Sequence, residues 1–313
     1  MHWSLIVFYL IAGIALLYYG AEWLVKGGVA IAERLEIPPL IIGLTLVSFA
    51  TSAPELVVSI SAALADKGDI SVGNVVGSNI CNIGLILGLS ALLTPLAVQK
   101  QLLKIDVPLL IVISVICAGI GCYFNGFSRL SGIFFLLLLG SYIAWNIYSA
   151  RKSGEDGETS DEKCSLIMAV FLVLIGLTAL VAGGQFLVNG GIGIGQALKI
   201  REAVIGLTIV AIGTSLPELA TSVVAALRKE TDIAIGNVVG SNIFNILAIM
   251  GITPIISPVR AQSINIWDWA AMLLLTLLLF PFMKRGMKIS RTEGAFLLLL
   301  FTAYMIWLVY SAK

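Results

Sequence analysis

The sequence predicts an all-α integral membrane protein: ten transmembrane helices in two inverted five-helix repeats, with discontinuous helices at the midplane. Three observations predict it. Of 313 residues, 59% are hydrophobic and only 12% charged, where a soluble domain carries about 25%. Apolar runs of about 20 residues, the length that crosses a bilayer, recur along the chain. Residues 43–89 align without a gap on residues 206–252, and 27 of the 47 positions are identical.

The apolar runs place spans at roughly 4–25, 39–65, 70–94, 107–123, 129–149, 166–188, 203–227, 233–257, 267–283 and 293–310. The first, Leu5 to Leu24, has no basic stretch before it and is too long for a signal core, so it is expected to stay as a span. One connector is clearly polar, "RKSGEDGETSDEK" at 151–163. It divides the chain into a first repeat (1–150), a linker (151–165) and a second repeat (166–313). Five spans per repeat is an odd number, so the second repeat must enter the membrane from the opposite side.

Basic residues favour the cytoplasmic side. Lys26, Arg34, Lys100, Lys104, Arg151, Lys152, Lys163, Arg228, Lys229, Lys284, Arg285, Lys288 and Arg291 fall on one side. Lys67, Arg129, Lys199, Arg201, Arg260 and Lys313 fall on the other. The expected product is a multi-pass protein of the cell membrane with a cytoplasmic linker and both termini extracellular. The net charge of +1 gives nothing for nucleic acid to bind.

The only histidine is His2, so a histidine metal site or proton relay within the membrane is excluded. Cys81, Cys117, Cys122 and Cys164 lack metal-ligand spacing and are expected to pack as small apolar residues. A cation inside this protein must be held by oxygen. Trp23, Trp145, Trp267, Trp269 and Tyr310 lie near span ends and are expected in the interfacial belt. Glu22 and Glu33 are expected at an interface, leaving few acids within the membrane.

Two of those acids stand out. "FATSAPELVVS" (49–59) and "IGTSLPELATS" (212–222) each put a proline and a glutamate deep inside an apolar run. A carboxylate at the bilayer centre costs on the order of 3 kcal/mol on insertion scales. Pro54 and Pro217 cannot donate a backbone hydrogen bond and break the helix. Freed carbonyls are tolerated at that depth only inside protein or along a cavity. An acid beside freed carbonyls is an anionic, oxygen-rich spot suited to a hard cation, and inversion brings Glu55 and Glu218 to a shared axis.

The polar spacing agrees. Thr51, Glu55 and Ser59 recur at i, i+4, i+8, as do Thr214, Glu218 and Ser222. The following helices carry Asn74, Ser78 and Asn82, and Asn237, Ser241 and Asn245, at the same spacing. Asn74 and Asn237 are also placed to bridge backbone. Gly73 with Gly77, and Gly236 with Gly240, form small-xxx-small pairs expected to pack helices closely. Two carboxylates plus carbonyls near Thr51 and Thr214 offer about six oxygens of charge −2, which suits Ca²⁺. The same oxygens, with Ser and Asn added, serve several Na⁺; Mg²⁺ demands stricter geometry, and Mn²⁺ also stays open.

"GLTLVSFATSAPEL" with "GNVVGSNICN", and "GLTIVAIGTSLPEL" with "GNVVGSNIFN", resemble the two alpha-repeats of prokaryotic sodium/calcium exchangers, in the calcium/cation antiporter superfamily. The resemblance covers nearly the whole chain. It implies exchange of Ca²⁺ for Na⁺ by alternating access, with no cofactor and no enzymatic activity. By motif position, it makes Glu55 and Glu218 shared ligands and gives Thr51 and Thr214 backbone carbonyl contacts. Ser78 and Ser241, with the backbone of Ser48 and Ala211, complete flanking Na⁺ sites, and Asn82 and Asn245 lie at the centre. Many members carry Asp at Asn245 or its partner; here both are Asn, leaving two carboxylates. Relatives that exchange Ca²⁺ for H⁺, or that need K⁺, are the alternative. A continuously conducting channel or an intramembrane hydrolase would also use buried acids, but nothing in the sequence supplies a substrate groove or an assigned water. The expected partners are the two ions and the lipid bilayer, with a single chain as the working unit.

Overall fold

The computed structural model describes residues 3–153, 165–197 and 211–311. Most of the 151–163 connector, the start of the seventh expected span, His2, Cys164, Lys199, Arg201 and Lys313 lie outside the described residues. The described chain is helical apart from loops and four two-residue strands. In chain order the helices are α1 (Trp3–Leu35), α2 (Pro39–Thr51), α3 (Ala53–Leu64), α4 (Gly68–Leu93) and α5 (Leu102–Phe124). There follow α6 (Arg129–Ser153), α7 (Leu166–Ala197), α8 (Ala211–Thr214) and α9 (Leu216–Leu227). The chain closes with α10 (Thr231–Ile256), α11 (Ile266–Lys284) and α12 (Arg291–Ser311). Among the described residues eight helices are long and apolar enough to cross a membrane, and the bent pair α2–α3 makes a ninth.

Glycine sets the packing where helices approach most closely. On α1, an added Cβ at Gly20 would come within 2.9 Å of the Gly176 carbonyl on α7, and one at Gly13 within 3.0 Å of the Gly183 carbonyl. The two long helices thus touch backbone to backbone. Elsewhere the halves exchange partners. Gly294 of α12 meets the Gly88 carbonyl of α4 (2.7 Å for an added Cβ), and Gly132 of α6 meets the Gly251 carbonyl of α10 (2.5 Å). Gly251 is the repeat equivalent of Gly88. The helix of one half that carries the GNVVGSNI block therefore packs on the last helix of the other half.

Two small ribbons repeat this exchange. Strand β1 (Leu96–Ala97) pairs with β4 (Lys288–Ile289), and β2 (Gly126–Phe127) with β3 (Val259–Arg260). Leu96 faces Ile289, and its repeat equivalent Val259 faces Phe127. Polar contacts follow the same plan. Asp69 accepts from the backbone N–H and hydroxyl of Ser263, both at 2.9 Å, and its equivalent Asp232 accepts from Gln99 at 2.6 Å.

Several expectations change. The first helix extends to Leu35 rather than ending near residue 25; Glu22, on this helix, forms an ion pair with Arg228. Trp269, expected in the interfacial belt, is buried within the protein with its ring against Gly121. Cys81 and Cys117 are buried as expected, but Cys122 is exposed. The fourth span starts at Leu102, with a π-turn over Leu102–Asp106. Asp106, left in a loop by the sequence, is fully buried there and accepts a hydrogen bond from Tyr142 at 3.0 Å. Asp268 and Tyr304 repeat that pair at 2.8 Å, again 36 residues apart.

Candidate cation site

Each glutamate opens a helix. Between α2 and α3 the chain leaves helical geometry at Ser52 (φ −83°, ψ 3°), and the axis bends by 44°. The other break falls at the repeat-equivalent residue, Ser215 (φ −87°, ψ 7°). Pro54 and Pro217 then sit in the first turn of α3 and α9, where a missing N–H costs nothing because it would have no intrahelical partner. Glu55 and Glu218 follow in the same first turns, where the helix dipole favours a negative charge. The proline therefore starts a helix rather than kinking one. This corrects the expected continuous Thr51–Glu55–Ser59 stripe: Thr51 belongs to the segment before the break.

The breaks face each other. The Ser52 hydroxyl donates to Glu218 Oε1 at 3.0 Å, and the Ser215 hydroxyl to Glu55 Oε1 at 3.1 Å. Thr214 also lies close to Glu55, and Thr51 to Glu218. Both carboxylates are buried, each 1% exposed. Each half thus holds the other half's acid.

The flanking helices lock this arrangement. Asn74 donates to the Glu55 carbonyl at 3.1 Å and to the Ser59 hydroxyl at 3.0 Å. Asn237 donates to the Glu218 carbonyl at 3.4 Å and to the Ser222 hydroxyl at 2.9 Å. Asn237 Oδ1 also accepts from Thr51 at 3.1 Å. Ser241 lies 3.5 Å from the Thr51 hydroxyl, and Ser78 accepts from Ser215 at 3.4 Å. Ser48 is buried, its hydroxyl on the Thr45 carbonyl at 3.2 Å. Ala211 is the first residue described in its segment, three residues before Thr214.

Asn82 and Asn245 each begin a π-turn, over Asn82–Leu87 and Asn245–Ile249, a feature often found at functional sites. The Asn82 amide donates to Asn242 at 3.4 Å, and the Asn245 amide to Asn79 at 3.0 Å. Four acceptor oxygens in this region are buried with no hydrogen-bond partner among the described residues: Glu55 Oε2, Glu218 Oε2, Asn82 Oδ1 and Asn245 Oδ1. They form two repeat-equivalent pairs. A buried carboxylate oxygen left unpaired costs several kcal/mol, and a bound cation offsets that cost. Among the described residues no group of three or more His, Cys, Asp or Glu is gathered anywhere, so the site holds two acids and neutral oxygens.

The structure brings together Glu55, Glu218, Thr51, Thr214, Ser78 and Ser241, and holds Asn82 and Asn245 by matched cross-repeat bonds. Sequence reasoning missed Ser52, Ser215, Asn79 and Asn242. All four recur at the repeat offset, which is the signal that would have found them. The glycine expectation holds at Gly236 and Gly240: an added Cβ would come within 3.0 Å of the Leu40 carbonyl and 2.6 Å of the Leu44 carbonyl. Gly73 lies 3.5 Å from Ile264, and Gly77 has no described residue within 4 Å; the repeat equivalents of Leu40 and Leu44, residues 203 and 207, lie outside the described residues.

The family model described as "Sodium/calcium exchanger protein" matches residues 5–148 and 168–310. The sodium/calcium exchanger MaX1 of Methanosarcina acetivorans is 31% identical over 341 residues, covering 96% of this chain and 97% of that protein. The putative antiporter CaxA of Alkalimonas amylolytica is 37% identical over 318 residues, covering 97% and 98%. A solved structure of the sodium-calcium exchanger NCX_Mj, soaked with zero Na⁺ and Ca²⁺, superposes with a TM-score of 0.86 at 34% identity, covering 97% and 99%. With two halves matched separately and both relatives aligned end to end, the chain belongs to the sodium/calcium exchanger family of membrane antiporters.

Proposed function

We propose that this chain exchanges Ca²⁺ for Na⁺ by alternating access at one site between Glu55 and Glu218. The observation that carries the reading is the set of four buried, unpaired oxygens on Glu55, Glu218, Asn82 and Asn245. Two carboxylates balance one Ca²⁺, which accepts 6–8 oxygens in flexible geometry. The backbone carbonyls of Thr51 and Thr214 would extend the Ca²⁺ shell. Ser78 and Ser241, with the carbonyls of Ser48 and Ala211, would hold Na⁺ on either side. Those neutral hydroxyls and carbonyls favour Na⁺ over H⁺ as the coupling ion. A metal ion needs several such ligands and a proton needs none.

The frame supports ten crossings in two inverted halves. With ten crossings, the loops that carry β1 and β4 emerge on one face, and those that carry β2 and β3 on the other. Both ribbons pair loops of the same face. Asp69 with Ser263, and Asp232 with Gln99, also join loops of one face. Both halves of the site come from one chain, so one chain suffices. The basic residues favour a cytoplasmic 151–165 linker and extracellular termini.

Exchange follows from charge. Without a cation, two carboxylates face each other in a low dielectric, and repulsion adds to desolvation. That state resists crossing. Ca²⁺ or Na⁺ relieves it, so ions cross in exchange. The test is radiolabelled Ca²⁺ uptake into proteoliposomes. A Na⁺ gradient directed outward should drive uptake, and an outward H⁺ gradient without Na⁺ should not. Uptake driven by H⁺ alone would overturn Na⁺ coupling.

A further inference from the structure

An asparagine can turn either end of its amide toward an ion. The two ends differ in sign: the oxygen attracts a cation and the NH₂ repels it. If Asn82 and Asn245 serve the site, something must fix their orientation. The inference here rests on the exchange reading given above.

The fixing groups are one turn away in the same GNVVGSNI blocks. Asn79 Oδ1 accepts from Asn245 Nδ2 at 3.0 Å. Asn242 Oδ1 accepts from Asn82 Nδ2 at 3.4 Å. Each acceptor takes up the NH₂ end of a central amide from the opposite half, and in both cases the remaining Oδ1 is buried and unpaired. All four side chains are 1% exposed or less, so water does not compete for these ends. The accepting asparagines have little else to do. Asn79 Nδ2 reaches only Met272 Sδ at 4.0 Å, a weak acceptor, and Asn242 Nδ2 has no partner. A buried unpaired amide is costly. It is kept here twice, at equivalent positions.

We propose that Asn79 and Asn242 are positioning residues. They hold the central amides so that Asn245 and Asn82 present oxygen to the transported cation. Each acts across the repeat boundary, Asn79 on Asn245 and Asn242 on Asn82. Supporting groups one shell out from a metal ligand are worth about 10–100-fold in metal affinity. Each block thus supplies the holder of the opposite half's ligand, and the asparagine three residues further on is a ligand itself.

The test is a set of double-mutant cycles on equilibrium Ca²⁺ binding to the purified full chain, with radiolabelled Ca²⁺, alongside uptake kinetics in proteoliposomes. Asn79→Leu, similar in volume, should raise the Ca²⁺ Kd and the uptake KM about tenfold or more, with a much smaller effect on maximal rate. Asn79→Ala should do the same and substitutes where the leucine variant does not fold. Asn79→Leu combined with Asn245→Ala should bind no worse than Asn245→Ala alone, because both remove one oxygen. Asn79→Leu with Asn82→Ala should multiply the single effects, because those residues serve different oxygens. Asn242 should show the mirrored pattern, coupled to Asn82 and independent of Asn245. A merely structural role would lower affinity without this pairing. Equal additivity in all pairs, or an unchanged Kd in both Asn79 variants, would overturn the assignment and leave the exchange reading standing. Wild-type protein that binds no Ca²⁺ would overturn both.

Discussion

The two copies of GNVVGSNI have one sequence, and different described residues around them. In the second half Gly236, Asn237 and Gly240 are buried against α2, where Gly43 also meets Ile233 and Gly236. In the first half Gly73, Asn74 and Gly77 are half-buried. The repeat equivalent of 43–47, residues 206–210, lies outside the described residues. The polar bonds do not follow this difference: Asn74 and Asn237 make the same two contacts, and Ser52 and Ser215 the same reciprocal one. The repeated blocks and the two helix breaks therefore set the same polar contacts in both halves. A site shared by the halves should feel damage from either side equally.

The largest expected effect breaks the symmetric part. Glu55→Gln and Glu218→Gln should each reduce Na⁺-driven Ca²⁺ uptake by about a hundredfold or more, since losing one buried charged ligand costs roughly 3 kcal/mol. The two variants should be equally inactive. Substantial uptake by one of them would mean that the halves do not share the site.

Next comes the packing of the second copy. Gly240→Ala places a methyl 2.6 Å from the Leu44 carbonyl and the Ser48 hydroxyl. It should cost about 1–3 kcal/mol of stability, measured by thermal unfolding in detergent. An unchanged unfolding temperature would show that this close approach does not constrain the helix pair.

The smallest effect concerns the repeated Asp–Tyr pair. Asp268 accepts from Tyr304 and from the Asn265 backbone, completing a capping box at the start of α11. Asp106 accepts from Tyr142 through one oxygen, and its other oxygen is buried and unpaired. Asp268→Asn should lower stability by about 1 kcal/mol through loss of the cap. Asp106→Asn removes a buried, half-paired carboxylate and should leave the unfolding temperature unchanged or higher.

Much of this was legible from a single chain because duplication let the sequence annotate itself. Glu55 and Glu218, their depth and their neighbouring polar positions all follow from the offset of the repeats. Ser52 and Ser215 escaped because a hydroxyl at a helix break acts on the opposite half, and spacing along one helix does not show what lies across it. Asn79 and Asn242 escaped for the same reason; their partners are 166 and 160 residues away. Asp106 was hidden by its neighbours. Lys104 is charged and exposed, so the run reads as a loop, while the π-turn buries Asp106 two residues later. Trp269 read as interfacial because a span end lies nearby. The missing side chain of Gly121 opens the slot that buries it.

The most direct test of a single shared cation site is a count of Ca²⁺ ions bound at equilibrium by the purified protein. The account predicts one Ca²⁺ per chain, displaced by Na⁺ and lost in both Glu55→Gln and Glu218→Gln. Two Ca²⁺ per chain, with one retained in each variant, would contradict it.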